Sequence, residues 1–104
     1  MSMNRLEALR NILMQNPGDT LARYGLAMEY IKGASYEQAV AEFRTLLESQ
    51  PDYAYAYFHG GQTLEKLGRS EEAREMYARG IAAAVRQDNA HARDELQAAL
   101  AMLG

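Results

Sequence analysis

Nine residues, YAYAYFHGG from Tyr53 to Gly61, decide how this chain folds. Tyrosines at 53, 55 and 57 alternate with alanines at 54 and 56. Alternation with period two is the pattern of a half-buried strand. His59-Gly60-Gly61 could instead open a glycine-rich binding loop. A third possibility is a helix carrying aromatics on two faces. The flanking sequence chooses among them.

The chain has two prolines, Pro17 and Pro51, 34 residues apart, a spacing that points to an internal repeat. Shifted by that period, Ala22 falls on Ala56, Lys32 on Lys66, Glu37 on Glu71 and Ala39 on Ala73. Tyr24 falls on Phe58, Phe43 on Tyr77 and Leu47 on Ile81. The matched positions are mostly apolar or small, which is what a repeated packing surface requires.

Within each unit the pattern is helical. Over 20–32, Leu21, Tyr24, Met28 and Ile31 form one stripe and Leu26, Ala27 and Tyr30 another. Over 36–49, Tyr36, Ala39, Val40, Phe43, Leu46 and Leu47 recur at i, i+3, i+4, i+7. Between the two, Gly33 can end the first helix and Ser35 can cap the second, with Gln38 completing a capping box. Gly68 and Ser70-Glu71-Glu72 repeat the plan, with acids at the positive end of the helix. Leu6, Leu9, Ile12 and Leu13 make one helical face, so 3–16 reads as the second helix of a unit whose first helix is missing. Ala92, Leu96, Ala99, Leu100 and Leu103 make a last amphipathic helix within 88–103, capped by Asp88 or Asn89.

These residues resemble the tetratricopeptide repeat family. One unit, 18–51, reads Leu26-Ala27-x2-Tyr30, then Ala39-x3-Phe43, then Pro51. The next, 52–87, reads Tyr57-x2-Gly60-Gly61-x2-Leu64, then Ala73-x3-Tyr77. The departures are informative. Val85 stands where the first unit has Pro51, so that helix should run on toward Gln87. Glu95 takes the slot of Ala27 and Gly61, as a terminal cap would. The resemblance implies one all-α domain over 1–104, a right-handed superhelical stack of about six helices in antiparallel pairs. YAYAYFHGG then begins the first helix of the second unit, entered through Asp52 as its cap. Tyr57, Gly61 and Leu64 turn inward, with Gly61 allowing close helix approach.

In that family the first helices of the units line a concave groove that holds peptides of other proteins. Carried over, the groove residues are Leu21, Tyr24, Met28 and Ile31 from one unit, and Tyr55, Phe58, His59, Gln62 and Glu65 from the next. Chaperone co-factors of the family clamp a C-terminal carboxylate with groove lysines and asparagines. Tyr24, Met28 and His59 stand in those places, which implies no such clamp and favours an apolar peptide or amphipathic helix. The resemblance therefore implies a protein–protein adaptor. The same aromatics could instead pack on neighbouring helices, or bury against a second copy in a homodimer.

Other function classes find little support. A net charge of −3, with arginines scattered among acids, argues against nucleic acid as a partner. With no cysteine there is no disulfide framework, thiolate nucleophile or cysteine zinc site. The leading MSMNRLEALRN lacks a signal-peptide run, and no stretch reaches the roughly 18 apolar residues of a membrane span, so a cytoplasmic location is expected. His59-Gly60-Gly61 has the form of a hydrolase oxyanion loop, but no Gly-x-Ser-x-Gly elbow accompanies it. His91 and Glu95, i and i+4, are expected as an ion pair and not a metal site, and Glu75 with Arg79 as a solvated pair. No phosphate loop is present, and the reading calls for no enzyme, metal or cofactor.

Overall fold

The computed structural model describes residues 3–103. Of the domain expected over 1–104, Met1, Ser2 and Gly104 lie outside the described residues. Six α-helices follow in order: α1 Arg5–Gln15, α2 Thr20–Lys32, α3 Tyr36–Ser49, α4 Ala54–Lys66, α5 Ser70–Arg86 and α6 Ala90–Leu103. No strand occurs among the described residues. YAYAYFHGG is helical, with Tyr53 at the N-cap of α4 and the rest in its first turns. Each helix packs on the next, and α6 reaches back to α4. The result is an elongated stack of 47 × 29 × 19 Å.

Three turns share one chemistry. After α2, Ser35 N–H donates to Tyr30 O at 2.8 Å and Ala34 N–H to Ile31 O at 3.0 Å. After α4, Arg69 pairs with Leu64 O and Gly68 with Glu65 O, both at 2.9 Å. After α5, Asn89 pairs with Ala84 O at 2.8 Å and Asp88 with Val85 O at 3.1 Å. Each is a Schellman ending, whose left-handed residue is Ala34 (φ 59°), Gly68 (φ 73°) or Asp88 (φ 54°). Gly33 ends α2 as expected, with an ordinary φ of −87°, and the left-handed residue is Ala34 after it.

Two expected caps are absent for physical reasons. Ser35 makes no side-chain cap. In a capping box the third residue reaches back to the cap's own N–H. The Ser35 N–H is already given to Tyr30 O, so Gln38 has no donor to meet. Asp52 does not cap α4 either. Its carboxylate pairs with Arg86 at 2.7 Å, and the N-cap falls one residue later on Tyr53. The caps that form are Asn4, Asp19 and Asn89, accepting from Glu7, Ala22 and Ala92 N–H at 2.8, 3.0 and 3.1 Å.

Small residues set the spacing between helices. Ala27, Ala39 and Ala73 are fully buried at the crossings. A Cβ on Gly80 would stand 2.6 Å from Tyr57 Cβ and 2.9 Å from Leu96 Cδ2. Such distances forbid any side chain without movement of the packed helices. Leu13 is buried, and Leu6 and Leu9 are partly buried, so α1 covers one end of the core.

The third unit is out of step with the first two. Without a proline, α5 runs three residues beyond the end of α3 shifted by one period, reaching Arg86. Asn89 then caps α6 as Asp19 caps α2, and Ala92 and Leu96 are buried as Ala22 and Leu26 are. These equivalences lie 70 residues apart, two more than twice the repeat. Gln97, not Glu95, therefore takes the slot of Ala27 and Gly61, which corrects the sequence expectation.

Candidate groove on the first helices

A chain of aromatic rings, the floor of the expected groove, joins α2 to α5. Tyr24 on α2 meets Phe43 of α3 edge-on at 6.0 Å, Tyr53 at 5.4 Å and His59 of α4 edge-on at 5.9 Å. His59 in turn meets Phe58 at 5.4 Å, and Phe58 meets Tyr77 of α5 at 6.5 Å. Centroid separations and tilted planes of this kind suit the ring quadrupoles. Phe43 and Tyr77 are fully buried, so both ends of the chain are anchored in the core. Tyr24, Phe58 and His59 between them are half-buried. The sequence posed groove and internal packing as alternatives for these residues, and the ring contacts show the packing, with part of each of these three residues left to solvent.

The remaining expected groove residues surround this floor. Leu21 is 76% exposed at the start of α2. Met28 and Ile31 are half-buried further along α2, and Tyr55 is half-buried on α4. Gln62 and Glu65 are exposed one and two turns beyond Phe58. Glu65 Oε2 accepts a short hydrogen bond from Tyr77 Oη, so a groove carboxylate also satisfies the hydroxyl of a core tyrosine.

Burial sets the ionisation of the floor. It pushes the Tyr24 hydroxyl up to about 12, and the neighbouring Tyr53 and Tyr55 hydroxyls add to the rise. Burial also pushes the Tyr77 hydroxyl up, with the Glu65 hydrogen bond adding to it. For His59 burial lowers the pKa below the usual histidine value, and the Glu95 carboxylate opposes that shift.

Sequence reasoning missed two members of this surface. Tyr53 stacks on Tyr24 although it belongs to the turn before α4, and only its place in the aromatic run hinted at it. Glu95 on α6 acts on His59, and Val85 in place of a proline announced only the two-residue displacement of that helix. Among the other candidates, His91 Nε2 pairs with Glu95 at 2.8 Å as expected. Glu75 and Arg79 are both exposed, as expected of a solvated helix face, and Arg79 also lies over the Tyr57 ring at 5.4 Å. Among the described residues no group of three His, Asp or Glu side chains could hold a metal ion. No helix among them is long and apolar enough to cross a membrane.

Two sequence profiles, both described as tetratricopeptide repeat, match the chain over residues 6–60 and 54–84. Among solved structures, the chain is similar to a tetratricopeptide repeat domain protein from Salinibacter ruber. Its solution structure is 36% identical with a TM-score of 0.79, covering 85% of this chain and 89% of that one. Its crystal structure is 36% identical with a TM-score of 0.76, covering 82% and 94%. A protein from Bordetella parapertussis, solved in solution, is 28% identical with a TM-score of 0.84, covering 98% of this chain and 89% of that one. No curated protein matches the chain at a significant level. Period, buried small residues, ring positions and these matches agree, and the chain belongs to the tetratricopeptide repeat family, with the all-α solenoid fold of that family.

Proposed function

We propose that this chain is an adaptor that holds a peptide or helix of another protein in the groove formed by α2 and α4. One observation carries the reading. The half-buried rings of Tyr24, His59 and Phe58 form a floor bordered by Leu21, an aliphatic side chain left 76% exposed. Exposed apolar surface beside fixed aromatic rings is the composition of a binding surface. His59 supports a binding role over a catalytic one, because its ring is packed between two aromatics. The absence of cysteine fits a reducing compartment, and we place the adaptor in the cytoplasm.

The test is affinity capture from the source cells by the tagged chain, compared with Leu21→Asp. Leu21 is so exposed that the substitution spares the core. Partners retained by the parent and lost by the variant support the reading, and an unchanged set of partners refutes it.

A second reading, self-association, draws on different residues. Ile12 is exposed on α1, and Met102 is 86% exposed on α6. Light scattering over a range of concentrations separates the two. A monomer throughout removes self-association, and a dimer broken by Ile12→Asp favours it.

A further inference from the structure

We infer that the cleft between α1 and α3 docks a carboxylate side chain of a partner protein, held by the guanidinium of Arg10. The cleft is separate from the groove, and the inference does not depend on what the groove holds.

The cleft has a volume of about 490 Å³. Leu6 and Arg10 of α1 line it, with Glu29 and Lys32 near the end of α2 and Ser35 and Gln38 at the start of α3. None of these is an expected groove residue. The next unit shows how such a cleft is closed. One period later Arg44 of α3 stands where Arg10 stands, and it pairs with Glu72 of α5 at 2.9 Å. Arg69 reinforces that bridge, facing Glu72 at 3.9 Å and pairing with Glu37. The first unit keeps the cation without the bridge. Gln38 takes the place of Glu72, and Ser35 the place of Arg69. Arg10 forms no hydrogen bond or ion pair among the described residues.

No nearby acid offsets that charge. Glu29 is taken by Arg5 at 2.9 Å, with Lys32 at 3.8 Å. Glu37, which opens α3, is turned to Arg69. Glu7 stands one turn before Arg10 on α1 and does not pair with it. The lining is therefore net positive on a chain whose net charge is −3. A guanidinium gives a carboxylate directed, charge-assisted hydrogen bonds. Leu6, four residues before Arg10 on the same helical face, is partly buried and offers apolar surface to the stem of an incoming side chain. The Glu72 carboxylate shows which anion suits an arginine in this place, so the occupant supplies from outside what α5 supplies from within.

A random-peptide display library panned on the folded chain, with the Arg10→Gln chain as the subtracting target, supplies the probe peptides. We expect them to share Glu or Asp at one position. Anisotropy titrations should show about five-fold weaker binding to Arg10→Gln at low salt, with a smaller loss at high salt. Changing the peptide's acid to its amide should cost the parent chain the same factor, a readout indifferent to the folding of any variant. Gln38→Glu restores the bridge of the next unit. It should pair with Arg10 as Glu72 pairs with Arg44 and shut the same peptides out. Leu21→Asp, in the groove, should leave their affinity unchanged. No enrichment after subtraction, or a consensus without an acid, overturns the inference. So does full affinity for Gln38→Glu, which would put the peptides elsewhere than between α1 and α3. Loss of binding in Leu21→Asp would put them in the groove and overturn it equally, while leaving the groove reading intact.

Discussion

Gly61 of α4 lies against the Tyr77 ring of α5, so close that a Cβ there would stand 2.6 Å from Cδ1 and 2.7 Å from Cζ. Rings cannot yield as flexible chain ends do, and Tyr77 is itself locked in the core. The neighbouring Gly60 is different. A Cβ there would meet Met76 Cε at 3.4 Å and Phe43 Cβ at 3.6 Å, which is ordinary contact. Gly61→Ala should therefore cost about 3 kcal/mol through overpacking. Gly60→Ala should be neutral or stabilise by up to about 1 kcal/mol through helix propensity. Urea midpoints at unchanged slope measure both. Equal losses for the two variants would refute the distinction.

The left-handed positions after α2 and α4 make an internal comparison. Ala34 at φ 59° and Gly68 at φ 73° occupy equivalent places one period apart. A Cβ in that region costs about 1–2 kcal/mol, partly offset by the larger unfolded-state entropy of glycine. Ala34→Gly should stabilise the chain by about 0.5–1 kcal/mol, and Gly68→Ala should destabilise it by a similar amount. No packing contact confuses the Gly68 result, because nothing lies within 4 Å of its Cβ position. Thermal melts of the two variants should move in opposite directions.

Much of this architecture is legible in the sequence because a period of 34 makes each unit check the other. Pro17 with Pro51 and Ala39 with Ala73 fix the stack, and Tyr57, Gly61 and Leu64 turn inward as their spacing requires. What stays hidden involves competition for a single group. Ser35 is the N-cap of α3, but its N–H belongs to the preceding helix end, which leaves Gln38 no donor for a capping box. Asp52 looks like a cap, but Arg86 takes its carboxylate from 34 residues away. At the groove, spacing finds the stripe that holds Tyr24 and Phe58. It does not show that His59 sits between them, because adjacent helical residues fall on different stripes until a neighbouring helix joins them.

The prolines do more than end helices. Tyr57 Oη donates to Pro51 O at 2.7 Å, and one period earlier Arg23 Nη2 donates to Pro17 O at 3.0 Å. Each bond ties the first helix of a unit to the turn that introduces it. Tyr57→Phe should cost about 0.5–1.5 kcal/mol, the net worth of one hydrogen bond, since the ring itself stays packed. Chemical denaturation checks it, and a variant as stable as the parent would show that the bond contributes nothing.

The alkaline limb follows from Tyr24. Its hydroxyl is raised to about 12 by burial and by Tyr53 and Tyr55. The ordinary phenol titrates near 10. The neutral form is favoured in the fold, so the contribution is present below about pH 10 and is lost as pH rises toward about 12. Tyr24→Phe should flatten stability across that window, measured by urea midpoints at stepped pH. A parent and variant with parallel profiles would rule this out.

The acid limb turns on His59. Burial lowers its pKa, so protons bind more readily to the unfolded chain below the ordinary value of about 6.5. The contribution of neutral His59 is thus present above about pH 6.5 and is lost as pH falls through the lowered folded value. Because Glu95 pulls the folded value back up, Glu95→Gln should deepen the loss on acidification, while His59→Gln should remove the His59 share of it. Proton NMR titration of the His59 ring gives the folded value directly, and urea midpoints between pH 7 and pH 5 give the stability slope. A His59 resonance titrating above the ordinary histidine value would reverse the sign. It would mean that the carboxylate of Glu95, and not the aromatic floor, governs the site.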